Sequence, residues 1–180
     1  PPMTDNIKNG NSLIEDLDIT NKAFNWKSNF KDKFAEGKVD VVIGNPPFES
    51  KLSEDGKKVN RTALRQDSKR GALPDNQSAY LFLEQAFSTL RPGGRVCLIQ
   101  PSGFLYNRNA QNFRSALFRK HKFDLIFDFV SIRKLFDAAD PKIIAALAQA
   151  IEPSENTLTA HLTFRRTASV KERICFELDH

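Results

Sequence analysis

The chain is poor in the residues that announce a disulfide or metal scaffold. Only two cysteines, Cys97 and Cys175, occur in 180 residues, and neither sits in a Cys-x-x-Cys pair. A disulfide framework and a sulfur-bound zinc site are therefore excluded, and a reducing, cytoplasmic setting is the expectation. The three histidines, His121, His161 and His180, stand far apart, with no His-x-His or His-x-x-x-His spacing, so no metal site is expected. No apolar run approaches the roughly 20 residues of a membrane-spanning helix, so no membrane partner is expected. Fixed-period repeats, heptads and low-complexity tracts are absent, as are Gly-x-Ser-x-Gly and Walker patterns. Gly93-Gly94 follows a proline between a helix and a strand, which makes it a turn and not a phosphate loop. The start, Pro1-Pro2-Met3, has no signal-like segment and reads as the interior of a longer reading frame.

What is present is a chain with 40% hydrophobic and 27% charged residues, which reads as folded and argues against wholesale disorder. Lys and Arg number 27 against 22 Asp and Glu, a net charge of +5. That mild excess is compatible with nucleic acid without being a polybasic tail.

Short apolar runs alternate with helical stripes. The first run, Val39-Asp40-Val41-Val42-Ile43-Gly44, is continuously apolar enough to predict a central strand covered on both faces. From 49 to 76 the chain is polar and reads as a long loop, of a length usually functional or mobile. Residues 78–90 carry Leu81, Leu83, Ala86, Phe87 and Leu90 at helical spacing. A turn at 91–94, a strand at 95–100, a helix at 109–120 and a strand at 123–130 follow. Residues 142–151 are ambiguous: alanines favour helix, brevity favours strand. Residues 158–164 and 173–178 alternate as two further strands. The order predicts an α/β fold with a largely parallel sheet and helices on both faces. Ligands of such sheets bind beyond the carboxyl ends of the strands.

Asn45-Pro46-Pro47-Phe48 occupies one of those ends. It suits a tight strand-ending turn, with two prolines fixing φ and an asparagine able to cap. It also suits a specific chemistry. The exocyclic amino group of adenine is a poor nucleophile because its lone pair is delocalised into the ring. Two acceptors, the Asn45 side-chain oxygen and the Pro46 carbonyl, could hold both N–H bonds and favour a more tetrahedral nitrogen. Phe48 offers a flat face to a base taken from the stack.

The run from Val41 to Phe48 resembles the catalytic motif of N6-adenine DNA methyltransferases. Ala79-Tyr80-Leu81-Phe82-Leu83-Glu84-Gln85-Ala86, Leu90-Arg91-Pro92-Gly93-Gly94-Arg95 and Gln100-Pro101-Ser102-Gly103-Phe104-Leu105 resemble the helix, turn and strand that follow it in that family. The branch is that of type I modification subunits and type IIG, Eco57I-like enzymes. The resemblance implies a partial Rossmann-like fold dependent on S-adenosylmethionine. Residues 1–180 would be part of a catalytic domain, with a core at 39–151 and C-terminal strands at 152–180. It further implies that Asn45, Pro46 and Pro47 form the catalytic corner, that Phe48 and Phe136 stack on the target base, and that Asn11 meets the cofactor. The Gly-rich cofactor motif and the acidic ribose ligand of the family have no counterpart in this chain, nor does a target-recognition domain. The substrate half of the domain is thus what the chain resembles.

Lys57, Lys58, Arg61, Arg65, Lys69 and Arg70 follow the motif and are candidate phosphate contacts, a solvated loop being the alternative. The partners expected are DNA and restriction or specificity subunits, with a second copy able to pair along an uncovered sheet edge. Methyltransferases of rRNA bases or of protein glutamine share the Asn-Pro-Pro-aromatic corner. A non-enzymatic nucleic-acid-binding module is the third reading.

Overall fold

A computed structural model describes residues 6–15, 18, 20–34, 38–132, 135, 142–166 and 174–179. Two short helices come first, α1 (Trp26–Asn29) and α2 (Lys31–Phe34), followed by strand β1 (Val39–Gly44). The remaining elements are α3 (Glu54–Gln66), α4 (Ser78–Thr89), β2 (Leu90–Pro101), α5 (Gly103–Tyr106), α6 (Gln111–Lys120), β3 (Lys122–Asp128), β4 (Ile143–Gln149), β5 (Ala160–Arg166) and β6 (Ile174–Asp179). The strands form one six-stranded sheet in the order β1-β2-β4-β3-β5-β6.

The α/β class stands, but the strand directions are mixed. β1 runs parallel to β2 and β3 to β5, whereas β4 lies antiparallel between β2 and β3 and β6 antiparallel to β5. The ambiguous segment is therefore a strand. Its small alanines, Ala145, Ala146 and Ala148, let it sit between two neighbours, with Ala146 and Ala148 buried. Both tail strands form where the alternation places them.

One face of the sheet carries Val96, Leu98, Ile126, Ile144, Ala146 and Ala148, all buried against Leu83, Phe87, Phe113 and Leu117 of α4 and α6. These two helices thus share a face, and the opposite face, with Cys97, Ile99 and Leu147, is only half-buried among the described residues. Nor is β1 a central strand. It is the first strand in the sheet order, and Val41 and Ile43 on its second face are 53% and 76% exposed. Burying those two side chains would be worth a few kcal/mol, so β1 presents an apolar edge.

The polar stretch after the motif is a helix and not a loop. Ser53 caps α3 by accepting from the Gly56 N–H at 3.1 Å, and Glu54 and Asp55 occupy the first turn, where the helix dipole favours acids. Leu52, Gly56, Val59 and Ala63 form its narrow inner side. Among the described residues no helix is long and apolar enough to cross a membrane.

Candidate active site

Asn45-Pro46-Pro47-Phe48 leaves the carboxyl end of β1, and its path is set by the start of α4. The buried Ser78 hydroxyl donates to the Pro47 carbonyl at 2.8 Å and accepts from the Glu49 N–H at 3.1 Å. The Ser78 N–H donates to the Glu49 carbonyl at 3.0 Å. Three hydrogen bonds therefore clamp the segment on one side. Neither the Asn45 side chain nor the Pro46 carbonyl has a hydrogen-bond partner among the described residues. Asn45 is exposed and Phe48 half-buried. The corner thus presents two acceptors and an aromatic ring from a fixed backbone.

A cavity of about 630 Å³ opens beside it, lined by Asn45, Pro46 and Pro47, by the β1 edge, by Phe82 and Gln85 of α4, and by Ser12, Trp26 and Phe34. The Trp26 indole N–H donates to the Ser12 carbonyl at 3.3 Å and so ties α1 to the turn after Asn11. Asn11 itself serves that turn, its side-chain oxygen accepting from the Leu13 N–H at 3.3 Å. Ser12, not Asn11, faces the cavity. Phe136 lies outside the described residues.

Unpartnered buried polar atoms occur among the described residues at the start of α4 and the end of β2. Gln100, fully buried at the end of β2, donates to the Ile99 carbonyl, but its side-chain oxygen is unpaired among the described residues, as are Gln77 Oε1 and the Tyr80 hydroxyl. Burial, and after it the Asp75 carboxylate, raises the Tyr80 phenol above its ordinary range, so it stays protonated.

The candidate phosphate contacts divide. On α3, Lys57, Arg61 and Arg65 recur every four residues, and Lys58 precedes Arg65 by seven, so they share one exposed side. Lys57 and Lys58 pair with Glu54 and Asp55 one turn back, surface contacts worth little. Lys69 is exposed. Arg70 differs from all of these. It is 3% exposed, grips both Glu84 carboxylate oxygens at 2.6 Å, donates to Asn60 at 2.6 Å, and lies over the Phe113 ring. Its guanidinium holds the protein together and faces no solvent-borne phosphate.

Residues 2–136 match the family model described as Eco57I restriction-modification methylase. The chain belongs to that family. A curated relative, a putative type II restriction enzyme and methyltransferase of Methanocaldococcus jannaschii, is 31% identical over 99 residues, which are 55% of this chain and 8% of the relative. Three solved structures share the fold. The type I restriction-modification methyltransferase subunit of Streptococcus thermophilus aligns with a TM-score of 0.54 at 20% identity, over 70% of this chain and 26% of that one. A putative class I S-adenosylmethionine-dependent methyltransferase of Listeria monocytogenes gives 0.50 at 16%, over 69% and 36%. The type ISP enzyme LlaGI, solved with a DNA substrate mimic, gives 0.55 at 14%, over 76% and 15%. The Eco57I-family chain therefore spans well under half the length of each relative, and its α/β sheet is similar to theirs.

The cavity lining fits the nucleoside part of S-adenosylmethionine, the cofactor that the family resemblance implies. Its volume is that of a small-molecule pocket, Trp26 offers an aromatic face, and Ser12 and Gln85 offer polar atoms. No lining residue is charged, so the amino-acid end of a donor has no ionic partner among them.

Proposed function

We propose that this chain carries the substrate-holding part of a DNA methyltransferase that modifies N6 of adenine within a restriction-modification or related defence system. The observation that carries the reading is the clamped corner, with Asn45 Oδ1 and the Pro46 carbonyl left as acceptors beside an apolar cavity. When bound, S-adenosylmethionine supplies an electrophilic methyl group. A flipped adenine lies against Phe48, and its amino N–H bonds donate to Asn45 and Pro46. That pair of hydrogen bonds localises the lone pair on nitrogen, so catalysis comes from positioning and electrostatics with no side chain tuned to neutral pH. Pro47 fixes the backbone, Phe136 is the proposed second stacking ring, and Asn11 shapes the turn that brings Ser12 to the donor. The exposed side of α3, with Lys57, Lys58, Arg61 and Arg65, and the neighbouring Lys69 meet DNA phosphates. Specificity or restriction subunits are further partners, and the outer edge of β1 suits pairing with another strand, including that of a second copy.

The test offers methyl-labelled donor with DNA, rRNA and protein to the chain in its native polypeptide. Label entering DNA as N6-methyladenine is the expected result. Label confined to rRNA or to protein glutamine would overturn the choice of substrate.

A further inference from the structure

A second aromatic residue stands over the carboxyl ends of the strands. Tyr106 closes α5, directly after β2, and is 58% exposed. Its hydroxyl donates to Asp128, the last residue of β3, which is 1% exposed. The other Asp128 oxygen accepts from the Val130 N–H at 2.8 Å, and His161 of β5 approaches the tyrosine-bound oxygen at 3.3 Å. The phenol is therefore pinned at its polar end to a buried carboxylate, while much of its surface faces solvent. The next turn is braced as well. Asn107 and Asn109 donate to the two oxygens of Asp75 at 2.6 and 2.7 Å, and Asp75 and Asn76 hold left-handed backbone angles, φ 50° and 51°. Such strain persists only where the surroundings over-determine it. Between the two braces Arg108 is exposed.

From this geometry we propose that Tyr106 is a stacking platform for a nucleobase other than the target adenine, with Arg108 at the adjoining phosphate. The proposal rests on the DNA reading above. A rigid ring with one end tethered meets a base at little conformational cost. β1 and β3 are three strand spacings apart, roughly 14 Å. Phe48 follows the end of β1 and the Tyr106 hydroxyl reaches the end of β3, so the proposal gives the two rings different bases of one strand. An unstacked neighbour of the target finds a flat partner there.

Binding of a fluorescent DNA duplex with an unpaired segment, measured by anisotropy on the full chain across a salt series, tests the proposal. Tyr106→Ala is expected to weaken binding about ten-fold with an unchanged salt slope, and Tyr106→Phe to remain within about three-fold of the unaltered protein, because the ring persists. Arg108→Ala is expected to lower the salt slope by about one. Should Tyr106→Ala fail to fold, Tyr106→Leu keeps apolar bulk without the aromatic face and takes its place. Unchanged affinity in Tyr106→Ala or Tyr106→Leu, while Arg61→Ala weakens binding, would overturn the platform and leave the DNA reading standing. Absence of DNA binding by the unaltered chain would overturn both.

Discussion

Arg70 and Arg61 show how one residue type takes opposite roles nine positions apart. The Arg70 guanidinium is satisfied by Glu84, Asn60 and the Phe113 ring, all inside the fold. Removing it leaves a mostly buried carboxylate without its partner, so Arg70→Met is expected to lower unfolding free energy by about 3 kcal/mol. Urea denaturation reads this directly, and stability equal to the unaltered protein would refute it. Arg61→Ala, at an exposed position of α3, is expected to change stability by less than about 0.5 kcal/mol. Under the proposed DNA reading, its effect is expected on the salt dependence of binding instead. Composition could not separate the two arginines. Both stand in a polar stretch, and only chain closure brings Glu84 to one of them.

At the scale of elements, the strands were the most legible part. β-branched runs identified β1, β2 and β3, and alternation identified β5 and β6, because these patterns need no knowledge of neighbours. The direction of β4 was not legible, since a short alanine-rich run acquires its identity from the strands beside it. Helix α3 was missed although its start signal was present: Ser53 followed by Glu54 and Asp55 is a capping sequence, hidden because the inner side offers only small or isolated apolar residues. The central position assigned to β1 failed for a related reason. Apolar continuity reports what a strand is able to bury, not what covers it. In the site, the corner at 45–48 was readable as a motif, whereas the serine that holds it was not, because Ser78 lies 31 residues beyond Pro47. Ser78→Ala removes the hydroxyl from both of its hydrogen bonds to the corner. We expect a stability loss of about 1–2 kcal/mol. A larger effect should appear in kcat, about 100-fold, because under the proposed mechanism a displaced acceptor would misalign the target nitrogen. KM for the donor should hold. Steady-state kinetics would contradict this positioning role if only KM rose.

For the molecule as a whole, the sheet brings three kinds of surface to one end: two hydrogen-bond acceptors at the end of β1, an apolar cavity beside them, and a tethered aromatic ring above β3. The helices α4 and α6 gather on one face and hold this end in shape, while the basic side of α3 lies exposed. Not every cation of this stretch adds to that surface, since Arg70 is internal and Lys57 and Lys58 pair with acids of their own helix. In the proposed reading, DNA docks through a few well-placed cations and not through bulk attraction. The most direct measurement quantifies N6-methyladenine in DNA incubated with S-adenosylmethionine and either the protein or its Asn45→Ala variant. With the two shown to be equally folded, we expect methylation by the protein and a loss of at least about 100-fold in the variant. Equal, nonzero methylation by both would contradict the assignment of Asn45 as the group that holds the target nitrogen.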